Sequence, residues 1–200
     1  MSNCRTSSNT ARAGRRSRLF VISAPSGAGK STLIGRLREL VPDLIKPVSA
    51  TTRAPRPGEV HGTHYYFLSA AEFDREIAEG GFVEWAEVHG NRYGTLKREL
   101  DRCLASGRDV IMELDVQGTR SLRNLYPDLV SIFIAPPSME ELERRIRSRG
   151  GESEESIQRR LETAKIEMAA RFEYNNVIVN DRLEDAVEAL RRVLADAREG

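Results

Sequence analysis

Four short runs of apolar, largely β-branched residues punctuate the chain: Leu19–Ile22, Val110–Leu114, Val130–Ile134 and Val177–Val179. Their length and unbroken apolarity predict strands of a buried parallel sheet. Between and after them the apolar positions shift to helical spacing. Ser31 to Leu40 predicts a helix that stops before Pro42. Ser138-x-x-Glu141, following Pro136-Pro137, has the form of a capping box and opens a helix with Met139, Leu142 and Ile146 on one side. Ser153 ahead of Glu154 and Glu155 predicts another start, with acids where the helix dipole favours them. Leu183, Val187, Leu190 and Leu194 mark a final helix. Strands alternating with helices imply an α/β fold, a parallel sheet flanked by helices, with ligands expected at the carboxyl ends of the strands.

Two stretches break that rhythm. Residues 49–98 are rich in Thr, Pro, Gly and Tyr and mix strand-like pieces with a helix opened by Ser69-x-x-Glu72, which reads as an inserted subdomain. Residues 140–165 read as a charged helical hairpin hinged at Gly150-Gly151. The expected organisation is a basic tail over 1–17, a core over 18–48, 99–138 and 168–198, an insert over 49–98 and a helical lid over 139–167.

Composition narrows the class. Lys and Arg (31) almost balance Asp and Glu (30), so the whole chain does not resemble a nucleic-acid binder. The balance hides Arg5, Arg12, Arg15, Arg16 and Arg18, which leave the rest of the chain net negative. That Ser- and Arg-rich tail lacks Leu, Ile, Val and Phe, so it cannot form the amphipathic face of a transit peptide; a disordered extension is expected. Cys4 and Cys103 belong to no C-x-x-C unit, which points to a reducing compartment. No run approaches the ~18 apolar residues of a membrane span, and the chain is expected to be cytoplasmic.

The chemistry begins at Ala24-Pro25-Ser26-Gly27-Ala28-Gly29-Lys30-Ser31, directly after the first strand and ahead of a helix. This is close to the P-loop pattern G-x-x-x-x-G-K-[ST], with Ala24 in the place of its first glycine. Successive main-chain N–H groups there can face a phosphate chain at the positive end of a helix. Lys30 can reach the outer phosphates, and the Ser31 hydroxyl can reach Mg²⁺.

Further constellations fit phosphate and base recognition. Arg53 and Arg56, spaced by three and stiffened by Pro55 and Pro57, can present two planar forks to one anion. Glu84, beside Phe82, Val83 and Trp85, can accept the paired N1–H and 2-amino donors of guanine, whereas adenine offers an acceptor at N1. Glu113 and Asp115 alternate onto one face at a strand end, where an acid can hold Mg²⁺ through water or orient an acceptor. Arg145 and Arg149 share a helix face, and Arg160 lies on the returning helix of the hairpin. Arg144, Arg147 and Arg159 are expected to pair with the many neighbouring glutamates. His61, His64 and His89 read as loop residues.

Taken together, APSGAGKST, TTRAPRPGEVHGTHYYF, FVEWAEVHGNRYGT, IMELDVQG, IFIAPPSMEELERRIRSRG and VIVND resemble the guanylate kinase family over roughly residues 17–198. The resemblance implies transfer of the γ-phosphoryl of ATP to GMP with Mg²⁺ required, on a P-loop core with a GMP-binding insert and a mobile lid. It implies that Ser49, Glu84 and Thr95 surround the guanine, and that Arg53, Arg56, Tyr65 and Tyr93 hold the GMP phosphate. It sets Glu113 and Asp115 near the acceptor and the metal's water shell. It sets Lys30, Arg145, Arg149 and Arg160 around the moving phosphoryl, Ala24 to Thr32 around the ATP phosphates, and Asn180-Asp181 near the adenine. Deoxy-GMP is expected as an acceptor too, and homo-oligomerisation is left open. The rival class is a guanylate-kinase-like scaffold module that binds partner peptides; the intact Gly29-Lys30-Ser31 argues against it. An enzyme acting on a sugar phosphate is a weaker alternative, opposed by Glu84.

Overall fold

The computed structural model describes residues 16–88, 90–148, 150–151 and 153–199. The chain divides into two compact units, Ile45–Val110 and a second made of Arg18–Leu44 with the residues from Ile111 onward.

The second unit carries the sheet expected from the apolar runs. β1 (Leu19–Ser23) pairs in parallel with β7 (Val130–Ala135), which pairs in parallel with β8 (Asn176–Val179). With β6 (Val110–Glu113), the order is β6-β1-β7-β8. Phe20 and Ile22 of β1 and Ile132 and Ile134 of β7 pack against Leu33, Ile34 and Leu37 of α1 (Lys30–Leu40) and Val187, Leu190 and Leu194 of α7 (Leu183–Glu199). Each such side chain contributes roughly 1.5–3 kcal/mol on leaving water. The helical periodicity of the last segment thus marks the face that covers the sheet.

One strand departs from expectation. Val177 and Val179 are 44% and 53% exposed, while Ile178 between them is buried. β8 lies at the end of the strand order, so its residues alternate between covered and open faces instead of being buried throughout. Three consecutive β-branched residues signalled a strand but not which face is covered.

The hairpin consists of α5 (Met139–Ser148) and α6 (Glu154–Ala169). Leu142 and Ile146 of α5 pack with Ile157, Leu161 and Ala164 of α6, and Ala28 of the glycine-rich turn is buried in the same cluster. Ser138 accepts from the Glu141 N–H as expected of a cap, but the Glu141 carboxylate accepts from Arg144 and Arg145. The acid read as half of a capping box therefore serves the arginines one turn on. Arg147 pairs with Glu143 and Glu154, and Arg159 stands 3.9 Å from Glu155. No helix among the described residues is long and apolar enough to cross a membrane.

The first unit has a mixed sheet of order β3-β2-β5-β4. β2 (Ala50–Thr51) runs parallel to β3 (Tyr66–Phe67) and antiparallel to β5 (Asn91–Leu96), which pairs with β4 (Phe82–Val88). α2 (Ala70–Ala78) has the full reciprocal capping box between Ser69 and Glu72. Phe73 of α2 stacks on Phe82 at 4.3 Å between ring centroids, over Ala50 and Leu96.

Beneath this sheet Glu99, on α3 (Lys97–Ala105), is 3% exposed. Burial alone would raise its pKa. Hydrogen bonds from Arg102, the Val48 N–H and Tyr66 Oη outweigh it and bring the carboxyl down to about 2. Its neighbour Cys103 is pushed the other way, to about 11, chiefly by burial, and is an inert thiol. A carboxyl depressed in the folded state stabilises the fold fully above its unfolded pKa and progressively less as pH falls towards its folded value. Wild type is therefore expected to lose stability between about pH 5 and pH 2, and Glu99→Gln to show a shallower loss there from a lower plateau. Urea midpoints measured across that range check it; parallel curves would contradict it.

Candidate functional site

The sequence places a left-handed turn between β1 and α1, and the structure needs glycine there. Gly27 has φ +99° and Gly29 φ +88°, where a side chain is strained. A Cβ on Gly29 would also lie 2.5 Å from Asn180 Nδ2. The N-cap of α1 is Gly29, which has no side chain to cap the helix, and a helix N-terminus of this kind suits an anion.

A cavity of about 310 Å³ forms over this turn, lined by residues from Ala24 to Thr32 together with Asp115 and Glu167. Asp115 Oδ1 accepts from the Gly118 N–H, capping α4 (Val116–Leu125). Its carbonyl oxygen accepts from Thr119 Oγ1 at 2.8 Å, and Ser23 and Thr119 share a further hydroxyl contact at 2.9 Å. This buried network fixes the ends of β1 and β6 and so fixes Asp115 beside the cradle. The cap is present, and a cap made through Oδ1 is compatible with a role in the cradle, because a carboxylate has a second oxygen. Glu113, the last residue of β6, is half-buried.

A second cavity of about 340 Å³ adjoins Gly27, Gly29 and Thr32 and is lined by Arg145, Ser148, Asn180, Asp181 and Leu183. Asn180 is buried and braces the turn, donating from Nδ2 to the Ala28 carbonyl at 2.8 Å. Arg145 donates to the Asn180 carbonyl at 3.0 Å and to Glu141 at 2.7 Å. The carboxyl of Glu141 is held at about 2, by Arg144 first and then Arg145. Arg160 reaches Ser26 Oγ at 2.6 Å. Arg149 and His89 lie outside the described residues.

In the first unit the residues read as a GMP site gather into two groups. Glu84 and Thr95 are directly opposed on β4 and β5, beside a bulge between Phe82 and Glu84, and Thr95 Oγ1 donates to Glu84 Oε1 at 2.8 Å. Cross-strand pairing turns an isolated strand acid into an oriented one. Arg53 lies over the Tyr65 ring at 5.5 Å, and Tyr65 meets Tyr93 edge-on at 6.2 Å. Arg53 Nη2 donates to both oxygens of Glu59, which also accepts from the Arg56 N–H at 2.7 Å. Arg53's bond and then Arg56's N–H hold the Glu59 carboxyl below its ordinary range. The Arg56 side chain is exposed, and Ser49, half-buried, accepts through its carbonyl from the Tyr66 N–H. His61 and His64 accept main-chain N–H groups through Nδ1 within this loop.

Glu167, Glu59 and the bracing role of Asn180 escaped the sequence reading. Glu167 had a signal: it lies seven residues after Arg160, on the same face of one helix. Glu59 was quoted within the arginine loop, yet nothing in spacing alone tells which arginine an acid will hold. A hard-cation site fits the cradle, since the Ser31 hydroxyl and the Asp115 carboxylate line one cavity and offer only oxygen donors. Among the described residues no three His, Cys, Asp or Glu side chains cluster as a metal cage.

A family model, close relatives and a solved structure point to the same family. The family model described as guanylate kinase matches residues 16–197. A guanylate kinase of Rubrobacter xylanophilus is 53% identical over 185 residues, covering 90% of this chain and 97% of its own. One from Synechococcus sp. strain CC9311 is 49% identical over 179 residues, covering 90% and 94%. Among solved structures, guanylate kinase from Anaplasma phagocytophilum superposes with a TM-score of 0.66 at 33% identity, covering 92% of this chain and 88% of that one.

Proposed function

The chain belongs to the guanylate kinase family, and on that premise we propose how its residues divide the transfer of a phosphoryl group from ATP to GMP. The activity itself, ATP-dependent phosphorylation of GMP, comes with the family. The observation that carries the division of labour is the cradle: an uncapped helix start after two positive-φ glycines, with Lys30 and Ser31 lining the cavity. Nothing favours a peptide-binding scaffold, for which such a cradle has no use.

On this reading residues Ala24 to Thr32 hold the ATP phosphates, and Asn180 and Asp181 flank the adenine. Glu84 reads guanine N1–H and the 2-amino group, with Thr95 and Ser49 beside it. Arg53, Arg56, Tyr65 and Tyr93 hold the GMP phosphate, whose arrival takes Arg53 from Glu59. Ser31, and Asp115 through water, would hold Mg²⁺, which when bound neutralises charge on the ATP phosphates.

In the chemical step an oxygen of the GMP phosphate bonds to the γ-phosphorus, and the bond from γ-phosphorus to its bridging oxygen breaks. ADP departs with that electron pair. The attacking oxygen is already anionic, so no general base is required. Lys30, Arg145, Arg149 and Arg160 stabilise the charge spread over the moving group. Glu113, with Asp115, orients the acceptor. These assignments suit a cytoplasmic enzyme of purine nucleotide metabolism, and since none of them addresses the ribose 2′-hydroxyl, dGMP is expected to serve as well as GMP. A coupled ADP-release assay with GMP, dGMP, AMP, UMP and CMP tests the reading. Turnover confined to GMP and dGMP supports it; comparable turnover of AMP would defeat the role given to Glu84.

A further inference from the structure

The P-loop cavity contains one residue for which phosphoryl transfer supplies no task. Glu167 lies on the last full turn of α6 and lines the same cavity as Ser26, Lys30 and Asp115. Its carboxylate faces the Ser26 main-chain N–H and lies within the field of Lys30, both of which favour its charged form. Two turns earlier on the same helix face, Arg160 donates to the Ser26 hydroxyl at 2.6 Å. One helix therefore meets one residue of the turn with two side chains, a cation bonded to its hydroxyl and an anion facing its N–H.

The second of these is informative. A nest of N–H groups beside a lysine attracts anions, and a phosphate is the anion such turns serve. Here a carboxylate from the protein's own chain faces one of those donors. Asp115, also lining the cavity, adds a second negative charge close by, which makes the arrangement costly unless the donors of the turn compensate it. Burial accordingly raises the Glu167 pKa, with Lys30 and the Ser26 N–H acting against that rise.

We infer that Glu167 is an internal anion of the P-loop, facing the phosphate donors and expelled by ATP, so that nucleotide binding separates this carboxylate from Ser26 and Lys30. The inference rests on the assignment of this cradle to ATP. A phosphate chain and Glu167 compete for the Ser26 N–H and for Lys30, and like charge keeps them apart. Arg160, being cationic, is compatible with the phosphate and can follow it. ATP thus exchanges a carboxylate contact for a phosphate contact at Ser26. Binding free energy is spent on that exchange, which links occupancy of the cradle to the position of the helix that carries Glu167.

The test is calorimetric titration of the full chain, without GMP, comparing wild type with Glu167→Gln and Glu167→Ala. Glutamine keeps an acceptor for the Ser26 N–H and removes the charge; alanine removes both. Both variants are expected to bind ATP and inorganic pyrophosphate about tenfold more tightly than wild type, with adenosine and GMP affinities unchanged and melting curves intact. ATP and pyrophosphate affinities that stay level or fall in both variants would overturn the inference, as would an equal gain for adenosine. Failure of the unaltered chain to bind ATP at all would instead sink the assignment of the cradle, and this inference with it.

Discussion

Lys30→Ala is expected to lower kcat by at least about a thousandfold while leaving GMP affinity within about twofold of wild type. The asymmetry follows from where Lys30 sits. It is the first residue of α1 and lines the cavity over Gly27 and Gly29, in the unit that does not contain Arg53, Glu84 or Thr95. Charge on the γ-phosphoryl and on the departing bridge grows only during transfer, so a cation there acts mainly on the transition state. Its loss therefore falls on kcat, and the fold is spared because the core residues of α1 are Leu33, Ile34 and Leu37. Steady-state kinetics and GMP titration by calorimetry check both halves. Turnover like that of wild type would remove Lys30 from the chemistry.

The second large effect is expected at Glu84. Glutamine has nearly the same shape but offers guanine one acceptor and one donor where two acceptors are needed, setting an N–H against the 2-amino group. Thr95 Oγ1 donates to Glu84 Oε1 and so orients the native carboxylate, and neither orientation of a glutamine amide supplies the missing second acceptor. Glu84→Gln should reduce kcat/KM for GMP by about 10²–10³, or roughly 3–4 kcal/mol of transition-state binding. The GMP-to-AMP preference should shrink with it, because a polar site rejects a base mainly through groups left unpaired. An unchanged preference would show that Glu84 does not read the base. Thr95→Val, which removes the orienting hydroxyl and keeps the shape, should give a smaller loss in the same direction.

Much of this was legible in the residues themselves. The P-loop announced its own conformation, because glycines followed by Lys-Ser between an apolar run and a helix have few other uses, and Gly27 and Gly29 do adopt positive φ. The α7 stripe of Val187, Leu190 and Leu194 identified a buried face, as it should where spacing alone decides which side meets the core. Local signals failed where a partner lay far along the chain or where neighbours competed for one side chain. Val177 and Val179 read as buried because β-branching reports strand geometry, whereas coverage depends on the position of β8 at the end of its sheet. Glu141 read as a cap because the spacing from Ser138 fits one, but arginines one turn onward compete for the same carboxylate and have more donors to offer. Glu99 gave no sign of its buried role, since its partners Val48 and Tyr66 are 51 and 33 residues away. Asn180 was placed by motif near a nucleotide, and the structure adds what the motif could not: its amide supports the Ala28 carbonyl 152 residues away.

On the proposed reading one unit recognises GMP through Glu84 and the Arg53 loop while the other holds ATP in the cradle. Crystals grown with GMP and a non-hydrolysable ATP analogue test it most directly. Glu84 is predicted to lie about 3 Å from guanine N1 and N2, with Arg53 turned from Glu59 to the GMP phosphate and the analogue's phosphates on the N–H groups of residues 26–31. A bound GMP whose base points away from Glu84, with its phosphate untouched by Arg53 and Arg56, would contradict it.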